Sequence, residues 1–93
     1  FPREIDEVLF APPAVQEAAA VAVPDPHWGE VLQAYVVLLP GQAADEEELR
    51  AWCQARLAKY KIPARIEVAG ALPKTPANKI DKRALREQAR AQG

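Results

Sequence analysis

The chain has 93 residues, of which 49% are hydrophobic and 27% charged, a composition typical of one globular domain. A domain of this size cannot by itself enclose both a nucleotide pocket and a substrate tunnel, because each needs walls from several elements. One cysteine excludes an internal disulfide and a cysteine-based zinc site, and no apolar run approaches the ~20 residues that span a bilayer. Because methionine is absent, we expect either a piece of a longer polypeptide or a chain whose start was removed.

The net charge of −1 conceals two halves of opposite sign. Residues 1–50 contain ten acidic and two basic residues, whereas residues 51–93 contain ten basic and three acidic residues. The positive charge of the second half favours binding of an anionic partner such as a phosphate, a nucleotide or an acidic surface. The alternative is that the two halves attract each other in the fold. Residues 61–93 contain no aromatic side chain, so we expect no nucleic-acid partner.

The first element is predicted to be a helix. Pro2 suits its first position, Ile5, Val8 and Leu9 form one apolar stripe, and residues 12–13 (Pro-Pro) end it.

Two strands are predicted to follow. The first runs over Val15–Val23, although the alanines at 18–20 would also suit a helix, and residues 24–26 (Pro-Asp-Pro) break it. The second, Val31–Leu39, is almost continuously apolar and rich in β-branched residues. Such a run is typical of a central strand that is covered on both faces.

The second half predicts helix, strand, loop and helix. Asp45 and Glu48 have the spacing of a helix start, and a buried stripe follows at helical spacing before Pro63 ends the helix. That stripe comprises Leu49, Trp52, Cys53, Leu57 and Tyr60. A short strand over Ala64–Val68, a loop over Leu72–Lys79 and a helix from about Asp81 complete the chain. The order predicts an α+β domain, with a small mixed sheet of about three strands flanked by helices.

Most familiar catalytic groups are missing. His27 is the single histidine, so a histidine-based triad or a two-histidine metal site is excluded, and we interpret it as a surface residue. Cys53 lies on the apolar stripe and is interpreted as a core residue. The four glycines form no phosphate-binding loop.

The loop at 73–79 is the exception. Its two prolines stiffen it, and Asn78 tolerates the left-handed conformation that a sharp turn needs. Lys79 would then be presented as a point charge able to reach a phosphate or carboxylate oxygen. From composition alone, an ordinary surface lysine is the simpler interpretation.

Five segments, in this order and at these spacings, carry a resemblance to a known family. They are FPREID at 1–6, VPD at 23–25 with WGE at 28–30, YVV at 35–37, YKIP at 60–63 and LPKTPANKI at 72–80. Together they resemble the small C-terminal domain of adenylate-forming acyl-CoA synthetases, the AMP-binding enzyme superfamily. The resemblance covers essentially the whole chain, and in this family the domain follows a hinge, which would end just before Phe1.

The resemblance implies that residues 1–93 are the mobile C-terminal domain of a cytoplasmic acyl- or aryl-CoA ligase of fatty acid metabolism. The complete enzyme would use a carboxylic acid, ATP and CoA as substrates. It would join the acid to AMP and then transfer the acyl group to the thiol of CoA. The partner would be the N-terminal adenylation domain of the same polypeptide, where Mg is expected. The isolated chain should be inactive.

The resemblance also implies roles for single residues. Lys79 occupies the place of the adenylation lysine, although the family's usual glycine before it is Asn78 here. Trp28, Gly29, Tyr60 and Lys61 occupy places beside CoA. Structural alternatives are that Trp28 caps the sheet and that Tyr60 closes the helix stripe.

Two other functions stay open. The chain could be a non-catalytic module that binds CoA or a carrier protein, or the C-terminal part of a carrier-loading adenylation domain. A regulatory hypothesis is that acetylation of Lys79 removes the charge that adenylation needs.

Overall fold

Three helices and three strands make up residues 2–92, the part of the chain that the computed structural model describes. In chain order they are α1 (Pro2–Phe10), β1 (Val15–Asp25), β2 (Gly29–Leu38), α2 (Glu46–Gln54), β3 (Arg65–Val68) and α3 (Lys82–Gln92), with a short 3-10 helix at Lys59–Lys61 between α2 and β3. The predicted order of elements and the α+β class are confirmed.

The sheet is mixed, with strand order β1-β2-β3. β1 and β2 form an antiparallel hairpin, whereas β2 and β3 run parallel, and α2 lies in the connection between them. β2 is therefore the central strand, as its nearly continuous apolar sequence predicts.

Each face of the sheet carries its own hydrophobic cluster, because side chains along a strand alternate between faces. Ala34 and Val36 of β2 pack into one cluster with residues of α1 and α2. Tyr35 and Val37 pack into the other cluster, with Leu85 and other residues of the C-terminal part. We call these sides of the sheet the α1/α2 face and the α3 face.

The prediction that residues 24–26 break the first strand is wrong, since β1 continues to Asp25. Pro24 lies within β1, opposite Glu30 of β2. β1 is at the edge of the sheet, where a proline is tolerated because its missing N–H removes no ladder bond on the paired side.

The predicted extent of the second helix is also wrong. The helix begins as expected, with Asp45 accepting a hydrogen bond from the Glu48 backbone N–H at 2.9 Å. It ends at Gln54 instead of continuing to Tyr60. Ala58 has φ −59° and ψ 148°, outside the helical region, so the chain has left the helix well before Pro63. Cys53 is fully buried, and its burial raises the pKa of the thiol.

The acidic first half and the basic second half attract each other in the fold. Within residues 2–92, three ion pairs join the halves: Glu4–Lys61, Asp6–Lys82 and Glu17–Lys74. Part of the charge asymmetry therefore serves the fold.

Candidate functional sites

Residues 73–81 form a tight hairpin, here called the lysine hairpin. At its base, the backbone N–H of Asp81 donates to the carbonyl oxygen of Pro73 at 2.8 Å. Further out, the N–H of Thr75 donates to the carbonyl oxygen of Lys79, also at 2.8 Å. These bonds fix both strands of the hairpin and leave a tip of three residues, 76–78.

The tip has the geometry that its sequence predicts. Pro76 follows Thr75, whose carbonyl oxygen accepts a bond from the Asn78 N–H at 2.8 Å, and Asn78 has φ 64°. A turn with proline at its second position, closed by a left-handed residue, is a common three-residue hairpin loop. The expected positive φ of Asn78 is confirmed, and asparagine adopts it more readily than other non-glycine residues.

The lysine hairpin is anchored on the α3 face. Leu72, just before it, is buried, and Ile80 packs against the same cluster as Leu85. Asp81 ends the hairpin and starts α3, because its carboxylate accepts a bond from the backbone N–H of Ala84 at 3.0 Å. The position of the hairpin is thus coupled to that of α3.

Lys79 is exposed next to the tip of this hairpin. Among residues 2–92, no carboxylate lies within ion-pair distance of its ammonium group. Lys61, Lys74 and Lys82, in the same half of the chain, are all paired with carboxylates. Lys79 therefore remains available to an anion that approaches the hairpin tip.

A second feature lies at the turn between β1 and β2. The Asp25 carboxylate accepts bonds from the backbone N–H groups of His27 and Trp28, at 3.0 and 2.8 Å. Gly29 follows with φ +82°, a conformation that favours glycine. The turn holds the Trp28 indole outward with 74% of the residue exposed, so Trp28 does not cap the sheet.

Trp28 and Tyr60 line one groove of about 880 Å³, here called the aromatic groove. Its walls are mostly apolar, with one acidic and one basic residue: Ala22, Trp28, Glu30, Val31, Leu32, Lys59, Tyr60, Ile62 and Ala64. Tyr60 is 70% exposed, so the prediction that it closes the buried helix stripe is wrong. The 3-10 helix turns it away from the core and toward the groove.

The structure does not bring Gly29 and Lys61 to the lining of the groove. Gly29 shapes the turn that carries Trp28. The Lys61 ammonium lies 2.8 Å from the Glu4 carboxylate, and its side chain is 20% exposed. The hydrogen bond with Glu4 raises the pKa of Lys61, so this lysine is charged but already engaged.

The lysine hairpin and the aromatic groove rest on opposite faces of the sheet. Leu72 and Ile80 anchor the hairpin on the α3 face. Leu32 and Ile62, which line the groove, pack against the cluster on the α1/α2 face. The two candidate sites therefore lie mainly on different faces of one sheet, although Val31, which also lines the groove, packs against the cluster on the α3 face.

One charged residue of the groove was not predicted from the sequence. Lys59 is the basic residue of the groove, and the unexpected 3-10 helix is what places it there. The Lys-Tyr-Lys run at 59–61 could have indicated it, but the sequence analysis assigned this run to the end of the second helix. Over residues 2–92, no group of three or more His, Cys, Asp or Glu side chains could hold a metal, and no helix there could cross a membrane.

Residues 4–79 match the family described as AMP-binding enzyme C-terminal domain. The chain belongs to this family. The match ends at Lys79 and thus includes both the aromatic groove and the hairpin tip.

Individual relatives agree with this assignment. The chain is 46% identical to a long-chain-fatty-acid–CoA ligase of Bacillus subtilis, over 95% of the chain and 16% of the relative. It is 41% identical to a fatty acid–acyl-carrier-protein ligase of Streptomyces coeruleorubidus, over 95% of the chain and 17% of the relative. The structure of a Mycobacterium tuberculosis fatty acyl CoA synthetase superimposes with a TM-score of 0.89 at 38% identity, covering 99% of the chain and 18% of that protein. The chain thus spans less than a fifth of the length of these relatives.

Proposed function

We propose that the chain is the mobile C-terminal domain of an ATP-dependent acyl- or aryl-CoA ligase. In this proposal Lys79 serves formation of the acyl-adenylate, and the aromatic groove receives part of CoA. The remainder of the polypeptide would provide the pockets for ATP and for the acid, so the 93-residue chain alone should be inactive.

The proposed reaction has two steps. A carboxylate oxygen attacks the α-phosphorus of ATP, and the bond to pyrophosphate breaks, leaving an acyl-adenylate. The thiol sulfur of CoA then attacks the acyl carbon and loses its proton, and AMP leaves with the electrons of the broken C–O bond. The first step brings negative charges together, whereas the second needs a channel for a long, thin thiol.

The lack of a carboxylate partner for Lys79 is the observation that carries the proposal for the first step. A stiff hairpin tip holds its backbone, and no ion pair with the described residues has to be broken before it binds an anion. Placed between the carboxylate and the α-phosphate, its ammonium would stabilise the charge that develops during transfer. Its fixed backbone would reduce the entropy lost in reaching that position.

Exchange of pyrophosphate into ATP, dependent on the carboxylic acid, measures the first step in the full-length enzyme. Lys79→Ala should lower its rate by about 10²–10³-fold, the effect of removing one transition-state donor. Arg86→Ala is the matched control, because Arg86 is another exposed cation of the same half and should leave the rate unchanged. A normal exchange rate in Lys79→Ala would refute the adenylation role.

The aromatic groove supports the proposal for the second step. Its volume of about 880 Å³ is within the range of small-molecule sites, and Trp28 and Tyr60 offer flat apolar surfaces for a pantetheine arm. Lys59 offers a positive charge for a phosphate of CoA. Lys61 could do so only by exchanging its Glu4 partner for the phosphate.

The separation of the two sites suits a domain that turns between the steps. Because the hairpin and the groove rest on opposite faces, a rotation could withdraw Lys79 from the nucleotide while presenting Trp28 and Tyr60.

The described residues do not fit a metal site, so the Mg expected with ATP would be bound by the rest of the polypeptide. The lone, buried thiol suits the reducing cytoplasm, where we place the enzyme.

A second candidate thiol is the pantetheine arm of a carrier protein. The 41% identity of the chain to a fatty acid–acyl-carrier-protein ligase supports a carrier protein as the alternative acceptor of the acyl group. Free CoA and a purified phosphopantetheinyl carrier protein, offered separately to the adenylate-loaded enzyme, distinguish the two. Thioester formation on CoA alone is expected, whereas acylation of the carrier alone would establish the second candidate.

A further inference from the structure

We infer that Glu17 and Lys74 are positioning residues that hold Lys79 in place for adenylation, an inference that rests on the proposed function. The Lys74 ammonium lies 2.6 Å from a carboxylate oxygen of Glu17. Glu17 belongs to β1, and Lys74 belongs to the first strand of the lysine hairpin, opposite Ile80. This ion pair therefore joins the hairpin directly to the edge of the sheet.

A bulge in β1 makes this contact geometrically attainable. Strict alternation from Val15 would put Glu17 on the α1/α2 face, together with Val15 itself. The register between β1 and β2 shifts between Val15 and Glu17, and after the shift Ala18 packs on the α1/α2 face while Ala19 packs on the α3 face. Glu17 alternates with Ala18 and so shares the α3 face, on which the hairpin rests. Such bulges redirect side chains at sheet edges.

The pair is shielded enough to fix a geometry. The Lys74 and Glu17 side chains are 32% and 24% exposed, whereas the ion pair of Arg90 with Glu87 on α3 is 54% and 68% exposed. Partly buried charges are screened less by salt than exposed ones. The Glu17–Lys74 contact is thus better suited than a surface pair to restrain a loop.

The far end of the hairpin has an equivalent tie. Lys82, the first residue of α3, pairs with the carboxylate of Asp6 on α1. The same carboxylate accepts a hydrogen bond from the backbone N–H of Ala20 in β1 at 2.7 Å. One end of the hairpin is therefore tied directly to β1 by an ion pair, and the other end is tied to β1 through the Asp6 carboxylate of α1. Lys79 lies in the segment between these two ties.

The hairpin should loosen when the Glu17 charge is removed. Lys79 would then occupy its reactive position for a smaller part of the time, although its own charge and reach are unchanged. A displacement of the reacting groups by about 1 Å can cost up to roughly 10²-fold in rate, so a partial loosening should cost about tenfold. The loss should fall on kcat of adenylation, with little change in the KM for ATP.

A double-mutant cycle in the full-length enzyme tests this. Glu17→Gln and Lys74→Met should each lower the rate of adenylation about tenfold. Neither variant should change the rate of thioester formation from supplied acyl-adenylate. In a Lys79→Ala background, neither substitution should lower the rate of adenylation any further. The exchanged pair, Glu17→Lys with Lys74→Glu, should recover most of the rate. Glu87→Gln, which removes an exposed ion pair, is the control and should match wild type.

Two outcomes would refute the inference about Glu17 and Lys74 without refuting the proposed function. One is a full adenylation rate in both Glu17→Gln and Lys74→Met while Lys79→Ala is inactive. The other is the same fractional loss with and without Lys79, which would mean that the pair acts through general stability. A full rate in Lys79→Ala itself would refute the proposed function, and this inference with it.

Discussion

The indole Nε1 of Trp52 donates a hydrogen bond to the carbonyl oxygen of Val8 at 2.7 Å. Trp52 lies on α2 and Val8 lies near the end of α1, so this bond joins the two helices that cover one face of the sheet. The Arg56 guanidinium covers the indole ring, 3.2 Å from its centroid. The bond thus ties α1 to the body of the domain, and in the proposed enzyme α1 would follow the hinge.

Replacing Trp52 with phenylalanine should destabilise the chain. The ring volume is reduced and the bond to Val8 is lost, at a cost of about 1 kcal/mol for the hydrogen bond alone. Urea unfolding of the chain measures the change in free energy. Trp28→Phe is the matched control, because Trp28 is 74% exposed, and its free energy of unfolding should equal that of wild type. Equal losses in both variants would contradict the structural role of the Trp52 bond.

The left-handed conformation of Asn78 makes a second prediction. Asn78→Gly should preserve the hairpin, since glycine adopts a φ of 64° without strain. Asn78→Ala should cost about 1 kcal/mol, because a Cβ disfavours that conformation and alanine lacks the compensating polar side chain. In the full-length enzyme, adenylation should fall in the alanine variant and persist in the glycine variant. Equal rates in the two variants would show that the turn geometry does not govern Lys79.

The aromatic groove makes a third prediction, on CoA. Trp28→Ala and Tyr60→Ala should each raise the KM for CoA about tenfold, through loss of an apolar contact surface worth about 1 kcal/mol or more. Pyrophosphate exchange should be unchanged, because the groove and the lysine hairpin rest on opposite faces. Phe10→Ala is the control, since Phe10 is another exposed aromatic residue outside the groove and should not alter the KM. An unchanged KM in both groove variants would exclude this site for CoA.

Glu46 predicts a pH dependence of stability. The Ile66 backbone N–H donates to its carboxylate at 3.1 Å and the Arg50 guanidinium donates at 2.7 Å, and these contacts hold the pKa of Glu46 below its ordinary value of 4.5. A carboxyl whose pKa is lowered by folding stabilises the fold when ionised. This contribution is therefore present at neutral pH and is lost as the pH falls below 4.5 toward the folded-state pKa.

Glu46→Gln should accordingly lower the free energy of unfolding at pH 7, by less than about 1 kcal/mol because the side chain is half exposed to screening solvent. The difference from wild type should shrink progressively in acid. Glu47→Gln, at the exposed neighbouring position, is the control, and its free energy of unfolding at pH 7 should match that of wild type. A difference for Glu46→Gln that stays constant from neutral pH into acid would contradict the assigned contacts.

Local signals in the sequence were sufficient for most of the fold. The stripe of Ile5 and Leu9, the capping pair Asp45 and Glu48, and the apolar run of β2 each depend on neighbours a few residues away. The positive φ of Asn78 was predictable for the same reason, since proline and asparagine at a hairpin tip have few alternatives. Lys79 was singled out through the family resemblance, because from composition alone an ordinary surface lysine is the simpler interpretation.

Features that depend on tertiary contacts could not be predicted in this way. Helical spacing put Tyr60 on the buried stripe, but the extended backbone at Ala58 turns it into the groove. The pairing of Glu17 with Lys74 depends on a bulge in β1. Periodicity alone does not predict where a residue is inserted in a strand. A single inserted residue nevertheless moves every later side chain of the strand to the other face. The engagement of Lys61 by Glu4 likewise joins residues far apart in sequence.

The most direct test of Lys79 compares both half-reactions in one variant. Full-length Lys79→Ala is assayed for formation of the acyl-adenylate from acid and ATP, and separately for thioester formation from supplied acyl-adenylate and CoA. We predict that the first rate falls by about 10²-fold or more while the second stays within about twofold of wild type. Comparable losses in both half-reactions, or a normal rate of adenylate formation, would contradict the assignment of Lys79 to the first step.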